Sequence, residues 1–195
     1  MQKERSVDQT INKVFGLFDK YGHDEYGESI TQLEHAVQSA QLASREGYED
    51  EVILAALFHD IGHLAANEKE DKSFMGDYGA MSHDKIGGDY LRHLGFSERM
   101  AQLVENHVQA KRYLTFKEAD YYNKLSEASK QTLEYQGGRM NAEEAAAFEQ
   151  DDLFKLSLRM RHWDEKAKEI GMPTPDLAPY QDICRQYLMK KNTQV

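Results

Sequence analysis

Residues 52–63, Val52-Ile-Leu-Ala-Ala-Leu-Phe-His59-Asp60-Ile-Gly-His63, decide how this chain is read. Seven apolar residues in succession fit a helix buried on every side. The same helix must then carry an imidazole, a carboxylate and a second imidazole. Burying such groups costs several kcal/mol unless something strong compensates them, and a metal ion does that well.

Outward from this stretch the pattern is helical throughout, with almost no strand-like alternation and no internal repeat. Ile11, Val14, Phe15 and Phe18 form one stripe of an opening helix over residues 6–20. A polar, glycine-punctuated loop follows at 21–29. Thr31 and Glu34 have the spacing of a capping box, opening a helix to about Arg45. The apolar helix at 50–66 takes the centre, and a charged loop covers 67–81. Helices are predicted at 82–94, with Ser82 as N-cap, and at 97–112, with Gly95 ending the one and Ser97 capping the other. A helix near 116–124 precedes a loop running through Gly137 and Gly138. Asn141 and Glu144 cap a short helix to about Gln150, and helices at 151–169 and 177–190 complete the chain. About eight helices with short connections make an all-α protein. A length of 195 residues suits one domain spanning 1–195.

The bulk numbers exclude several function classes. A net charge of −10 opposes a surface for a nucleic-acid backbone. No apolar stretch approaches the roughly 20 residues of a membrane span, and the first residues lack the apolar core of a signal peptide. Cys184 stands alone, so no intrachain disulfide can form and a cytoplasmic setting is expected. The oligomeric state is left open.

The candidate ligands are His35, His59, Asp60, His83, His107 and Asp164. On a continuous helix His59 and Asp60 would point about 100° apart and grip opposite sides of a metal, while the carboxylate's second oxygen could reach another ion. His63, one turn on, would face the same cavity. Any single histidine here is more often a surface or satisfied core residue, but six such groups in apolar settings are costly to bury without a shared purpose. His23, His93 and His162 lack that setting and are assigned to the surface. Four imidazoles and two carboxylates, one bridging, suffice for two ions with open positions. Nitrogen and oxygen donors without thiolate suit iron, manganese or zinc alike.

The pattern His35…His59-Asp60…Asp164 resembles the HD-domain superfamily, with His83 and His107 marking its dinuclear branch. Further segments resemble the mixed-valent diiron oxygenases that cleave the C–P bond of 1-hydroxyphosphonates: residues 27–35, 57–63, 125–130, 136–138 and 161–168. The resemblance implies two iron ions, Fe(II) and Fe(III), with O2 as co-substrate. His35, His59, Asp60 and Asp164 would hold one ion and Asp60, His83 and His107 the other. It also implies that His63, Lys111, Ser129 and Arg161 hold the phosphonate, with Asp60, His63 and Lys111 closest to the chemistry. Arg161 brings a planar fork and Lys111 a point charge, as a dianion in an acidic protein requires. The loop at 21–29 resembles a substrate lid. Glu28 stands where the family meets a substrate amine, with Tyr26 or Glu25 taking the place of the family's lid tyrosine. Carboxylates at 25 and 28 favour a cationic tail, and the substrate expected is (R)-2-amino-1-hydroxyethylphosphonate, giving glycine and phosphate. The trimethylammonium analogue (giving glycine betaine) and hydroxymethylphosphonate (giving formate) are the close alternatives. A metal-dependent phosphohydrolase is the other reading that an HD core allows.

Overall fold

Val52 to Phe58 are all buried, so the helix they form, α3 (Asp50–Phe58), has no face to offer water and everything else wraps it. The computed structural model describes residues 6–68, 78–173 and 176–193, and among these it contains eleven helices and no strand. Helices α2 (Gln32–Arg45), α6 (Glu98–Lys117) and α11 (Ala178–Asn192) pack around α3. Helix α1 (Val7–Tyr21) lies against α11 and α4 (Ile61–Glu68), and α5 (His83–His93) is held between α4 and α6. Helix α10 (Phe154–Lys166) crosses α6 and α2. The short helices α7 (Tyr121–Lys124) and α9 (Ala142–Phe148) pack on α6, and α8 (Glu127–Tyr135) is tied to it by the Lys111–Thr132 hydrogen bond. There Tyr113, Met140, Ala145 and Phe148 make a separate small core.

Local signals act as the sequence suggests at several ends. Thr31 Oγ1 accepts the Glu34 N–H while Glu34 accepts the Thr31 N–H at 2.8 Å, closing the capping box. Asn141 and Glu144 repeat it at α9, and Ser97 Oγ caps α6 through the Met100 N–H. Gly95 takes φ +88° just past α5, a conformation that L side chains avoid.

Four expectations need correction. The helix over 50–66 is two helices, interrupted at the His59-Asp60 pair. His59 Nδ1 donates to the Ala56 carbonyl at 2.8 Å, where a helical amide would normally point, and the chain restarts with the His63 N–H on Asp60 O at 3.0 Å. Ser82 does hold the N-cap position of α5, but its side chain makes no cap hydrogen bond; it sits in the left-handed region at φ 56°, ψ 29° to swing the chain into α5. The helix near 116–124 is the end of α6 plus the four residues of α7. The stretch read as a loop before Gly137 contains α8, capped by Ser126 Oγ accepting the Ser129 N–H. Its apolar face is only Ala128 and Leu133, too thin a stripe for periodicity to reveal. Of the loop expected at 67–81, residues 69–77 lie outside the described residues. No helix among those described is long and apolar enough to cross a membrane.

Candidate metal centre

The interruption between α3 and α4 turns the Asp60 carboxylate into the cavity, where its side chain keeps 20% exposure. Helix α2 brings His35, α5 brings His83, α6 brings His107 and α10 brings Asp164, all buried. Asp60 then stands between two imidazole pairs. Its Oδ2 lies 3.5 Å from His35 Nε2 and 3.4 Å from His59 Nε2. Its Oδ1 lies 3.4 Å from both His83 Nε2 and His107 Nε2. Asp164 Oδ1 closes the first group at 3.3 Å from His35 Nε2.

Donor chemistry tests whether this cluster fits metal ions. His35 Nδ1 donates to Ala167 O at 2.8 Å, His59 Nδ1 to Ala56 O at 2.8 Å, and His107 Nδ1 to Val104 O at 2.5 Å. With the proton on Nδ1, each ring turns its Nε2 lone pair inward. His35 and His59 then face each other Nε2 to Nε2 at 3.0 Å, and His83 and His107 at 3.1 Å. Two bare lone pairs so close would repel, so a proton or a metal cation must lie between the rings of each pair. Two ligands about 2.1 Å from one ion and 90° apart are separated by about 3 Å, so these spacings match the edges of a coordination shell. The residues fit two ions sharing Asp60.

The two imidazole pairs differ in their electrostatics as protein alone. Burial works against a charged His59 ring, but Asp60 and Asp164 outweigh it and push its pKa up to about 9. Burial likewise opposes the Asp60 and Asp164 carboxylates, yet His59 and Arg161 respectively hold them well below the usual range. His83 shows the opposite balance: burial outweighs Asp60, and with His107 and Lys111 nearby its pKa falls to about 3.

A cavity opens over Asp60, His83 and His107. His63 forms one wall, its ring stacked on His83 with centroids 3.9 Å apart. The Ala80 N–H donates to His63 Nδ1 at 2.9 Å, which leaves the ring proton on Nε2. Only glycine fits at position 79 beside it, because a Cβ there would come within 2.3 Å of the ring. Lys111, 3% exposed, donates to Thr132 Oγ1 at 2.9 Å, and burial beside Arg161 pulls its pKa down to about 7. Arg161, also 3% exposed, is more committed than a free fork would be. It donates to Asp164 Oδ2, to Glu165 Oε1 at 2.9 Å, to Tyr121 Oη at 3.1 Å and to Ser129 Oγ at 3.4 Å.

The described part of the chain therefore gathers Tyr26, Glu28, His63, Lys111, Ser129 and Arg161 around one cavity with five of the six candidate ligands, while His59 is fully buried behind them. Tyr26, not Glu25, takes the lining position: its ring lies 5.1 Å from that of His63 and its hydroxyl accepts from Asn67, whereas Glu25 is exposed. Of the two carboxylates expected to favour a cationic tail, Glu28 lines the cavity and pairs with Lys168, while Glu25 is exposed. His23 and His93 are exposed, and His162 half-buried, away from the cavity.

The model of the family described as HD domain matches residues 20–153, which include the His59-Asp60 pair. The chain belongs to the HD-domain family. It is 42% identical over 188 residues to an uncharacterised protein of Acanthamoeba polyphaga mimivirus, covering 96% of this chain and 85% of that one. It is 39% identical over 173 residues to the hydroxymethylphosphonate dioxygenase of Gimesia maris (88% and 85%). A third relative is the 1-hydroxy-2-(trimethylamino)ethylphosphonate dioxygenase (glycine-betaine-forming) of Leisingera caerulea, 41% identical over 168 residues (85% and 84%). The chain is thus an HD-domain protein similar to two named phosphonate dioxygenases along most of its length. Asp164 and Arg161 lie beyond the matched HD segment, yet α10 folds them back into its centre.

Several cavity residues escaped sequence reasoning. Tyr78, Thr132, Gln136 and Lys168 line it, and Gln136 Oε1 is buried with no hydrogen-bond partner among the described residues. Tyr121 and Glu165 brace Arg161 from behind. Of these only Glu165 carried a local signal, lying four residues after Arg161 on the same helical face.

Proposed function

We propose that this protein uses O2 to cleave the carbon–phosphorus bond of a small 1-hydroxyalkylphosphonate, at two iron ions in the Fe(II)/Fe(III) state. The observation that carries this reading is the Asp60 carboxylate, with one oxygen toward each imidazole pair and a cavity above it lined by Lys111, Ser129 and Arg161. His35, His59, Asp60 and Asp164 would hold one ion, and Asp60, His83 and His107 the other. Bound there, the metals supply Lewis acidity and a site for O2.

The chain's own groups do the rest. Lys111, Ser129 and the His63 Nε2–H converge on the phosphonate, while Arg161 adds charge from behind Ser129 and keeps Asp164 turned toward His35. His63 is neutral, its pKa held far below the ordinary value by burial and by His83, so it serves as a hydrogen-bond donor and not as a cation. The 21–29 loop acts as a lid: Tyr26 closes the cavity against His63 and limits water. The C1–H and C1–P bonds supply the four electrons that reduce O2, and both oxygen atoms end in the carboxylate and phosphate.

Iron-loaded protein given a panel of 1-hydroxyphosphonates should consume O2 in step with phosphate release and yield a carboxylate. Phosphate released undiminished without O2, with the carbon unoxidised, would mean hydrolysis and reject the oxygenase.

A further inference from the structure

At the wall of the cavity formed by the 21–30 loop and the end of α10, Glu28 and Lys168 face one another. Lys168 Nζ donates to Glu28 Oε1 and, at 3.1 Å, to Ser126 Oγ. Ser126 Oγ gives its own proton to Glu28 at 2.6 Å and accepts the Ser129 N–H at 3.2 Å, so its hydrogen-bonding capacity is full. Glu28 and Lys168 keep 25% and 23% side-chain exposure, so the pair can still be reached from solvent. The carboxylate that the sequence offers to a cationic ligand is already matched by an ammonium of the same chain. Ile30, Gln32 and Ala128 add no charge to the rest of this wall.

We propose that Lys168 is a specificity-determining residue: by neutralising Glu28 it makes the cavity select 1-hydroxyphosphonates with an uncharged tail over those with an ammonium or trimethylammonium tail. This rests on the function proposed above. A ligand ammonium would have to displace Lys168, exchanging one cation for another at little net gain. A trimethylammonium group has no N–H and cannot replace either hydrogen bond that Lys168 makes. An uncharged tail leaves the pair intact.

The test is steady-state kinetics of the iron-loaded enzyme on hydroxymethylphosphonate, 2-amino-1-hydroxyethylphosphonate and its trimethyl analogue. The readout is the ratio of kcat/KM for each cationic substrate to that for hydroxymethylphosphonate. In the wild type both ratios should lie below one. Lys168→Met should raise them about tenfold or more, chiefly through KM, because an unscreened carboxylate near 4 Å then faces the tail. Glu28→Gln should lower them, and Lys168→Arg should restore the wild-type order. Anaerobic calorimetry of the same ligands should rank them alike. A wild type that favours a cationic tail, or a Lys168→Met ratio that stays put while turnover persists, overturns this inference alone. A wild type releasing phosphate from none of the three overturns the proposed function and this inference with it.

Discussion

The two halves of the centre are built by different physics. In the half made by His35, His59 and Asp164, both rings are anchored through Nδ1 to backbone carbonyls and the carboxylate is braced by Arg161. In the half made by His83 and His107, only His107 has such an anchor among the described residues; His83 Nδ1 has no partner among them, and its ring rests on His63. That second half is placed by contact between backbones. A Cβ on Gly62 would lie 1.8 Å from His83 O and 2.8 Å from Gly87 N, so α4 and α5 touch where no side chain fits. Directional hydrogen bonds resist rotation of a ring, whereas a steric seat resists only approach. The first half is therefore the more rigid and should bind its metal more tightly.

The largest effect should come from the group both halves share. Asp60→Ala should reduce metal content from two ions per chain to nearly none and abolish turnover; two ions retained would contradict the bridge. Gly62→Ala should separate the halves. Overpacking of this kind costs about 1–3 kcal/mol, so Tm should fall, and the ion of the His83 half should be lost while the other remains by elemental analysis. Equal loss of both would mean that the halves do not differ.

Arg161→Ala attacks the first half. Loss of a group that orients a ligand typically weakens affinity by about 10–100-fold, here in metal titrations of the His35 side, with KM for phosphonate rising as well. Lys111 spans both halves. Burial and then Arg161 hold its pKa near 7, and an anion favours its charged form. Phosphonate dianion binding should therefore weaken up to about tenfold per pH unit above that value, and Lys111→Arg, charged throughout, should remove this alkaline loss. The sign for stability follows: the depressed pKa costs the fold most at pH below about 7 and the cost fades toward the ordinary lysine value, so Lys111→Met should raise Tm most at neutral and acidic pH. The smallest effect belongs to Ser82. Its left-handed backbone is strained for an L residue by about 1–2 kcal/mol, so Ser82→Gly should stabilise the fold by about 1 kcal/mol or less, read as a small rise in Tm with both metals kept.

Much of this was legible in sequence because it is local. A run of seven apolar residues can only be a buried helix or strand core, and residues that cannot be cheaply buried, placed at its end, mark a site. Capping boxes at Thr31 and Asn141 needed only four residues each to be read. The resemblance of the 57–63 and 161–168 segments named the partners that spacing could not.

What the sequence by itself determined was the helical class, the helix that carries the core and the set of side chains able to hold metal, since each follows from periodicity or from side-chain chemistry. What only the tertiary structure decided was which oxygen of Asp60 faces which imidazole pair, that Tyr26 and not Glu25 lines the cavity, and that Lys168 answers Glu28. Those depend on elements far apart in the chain, where a shift of a few ångströms changes a partner, and no local pattern records the shift.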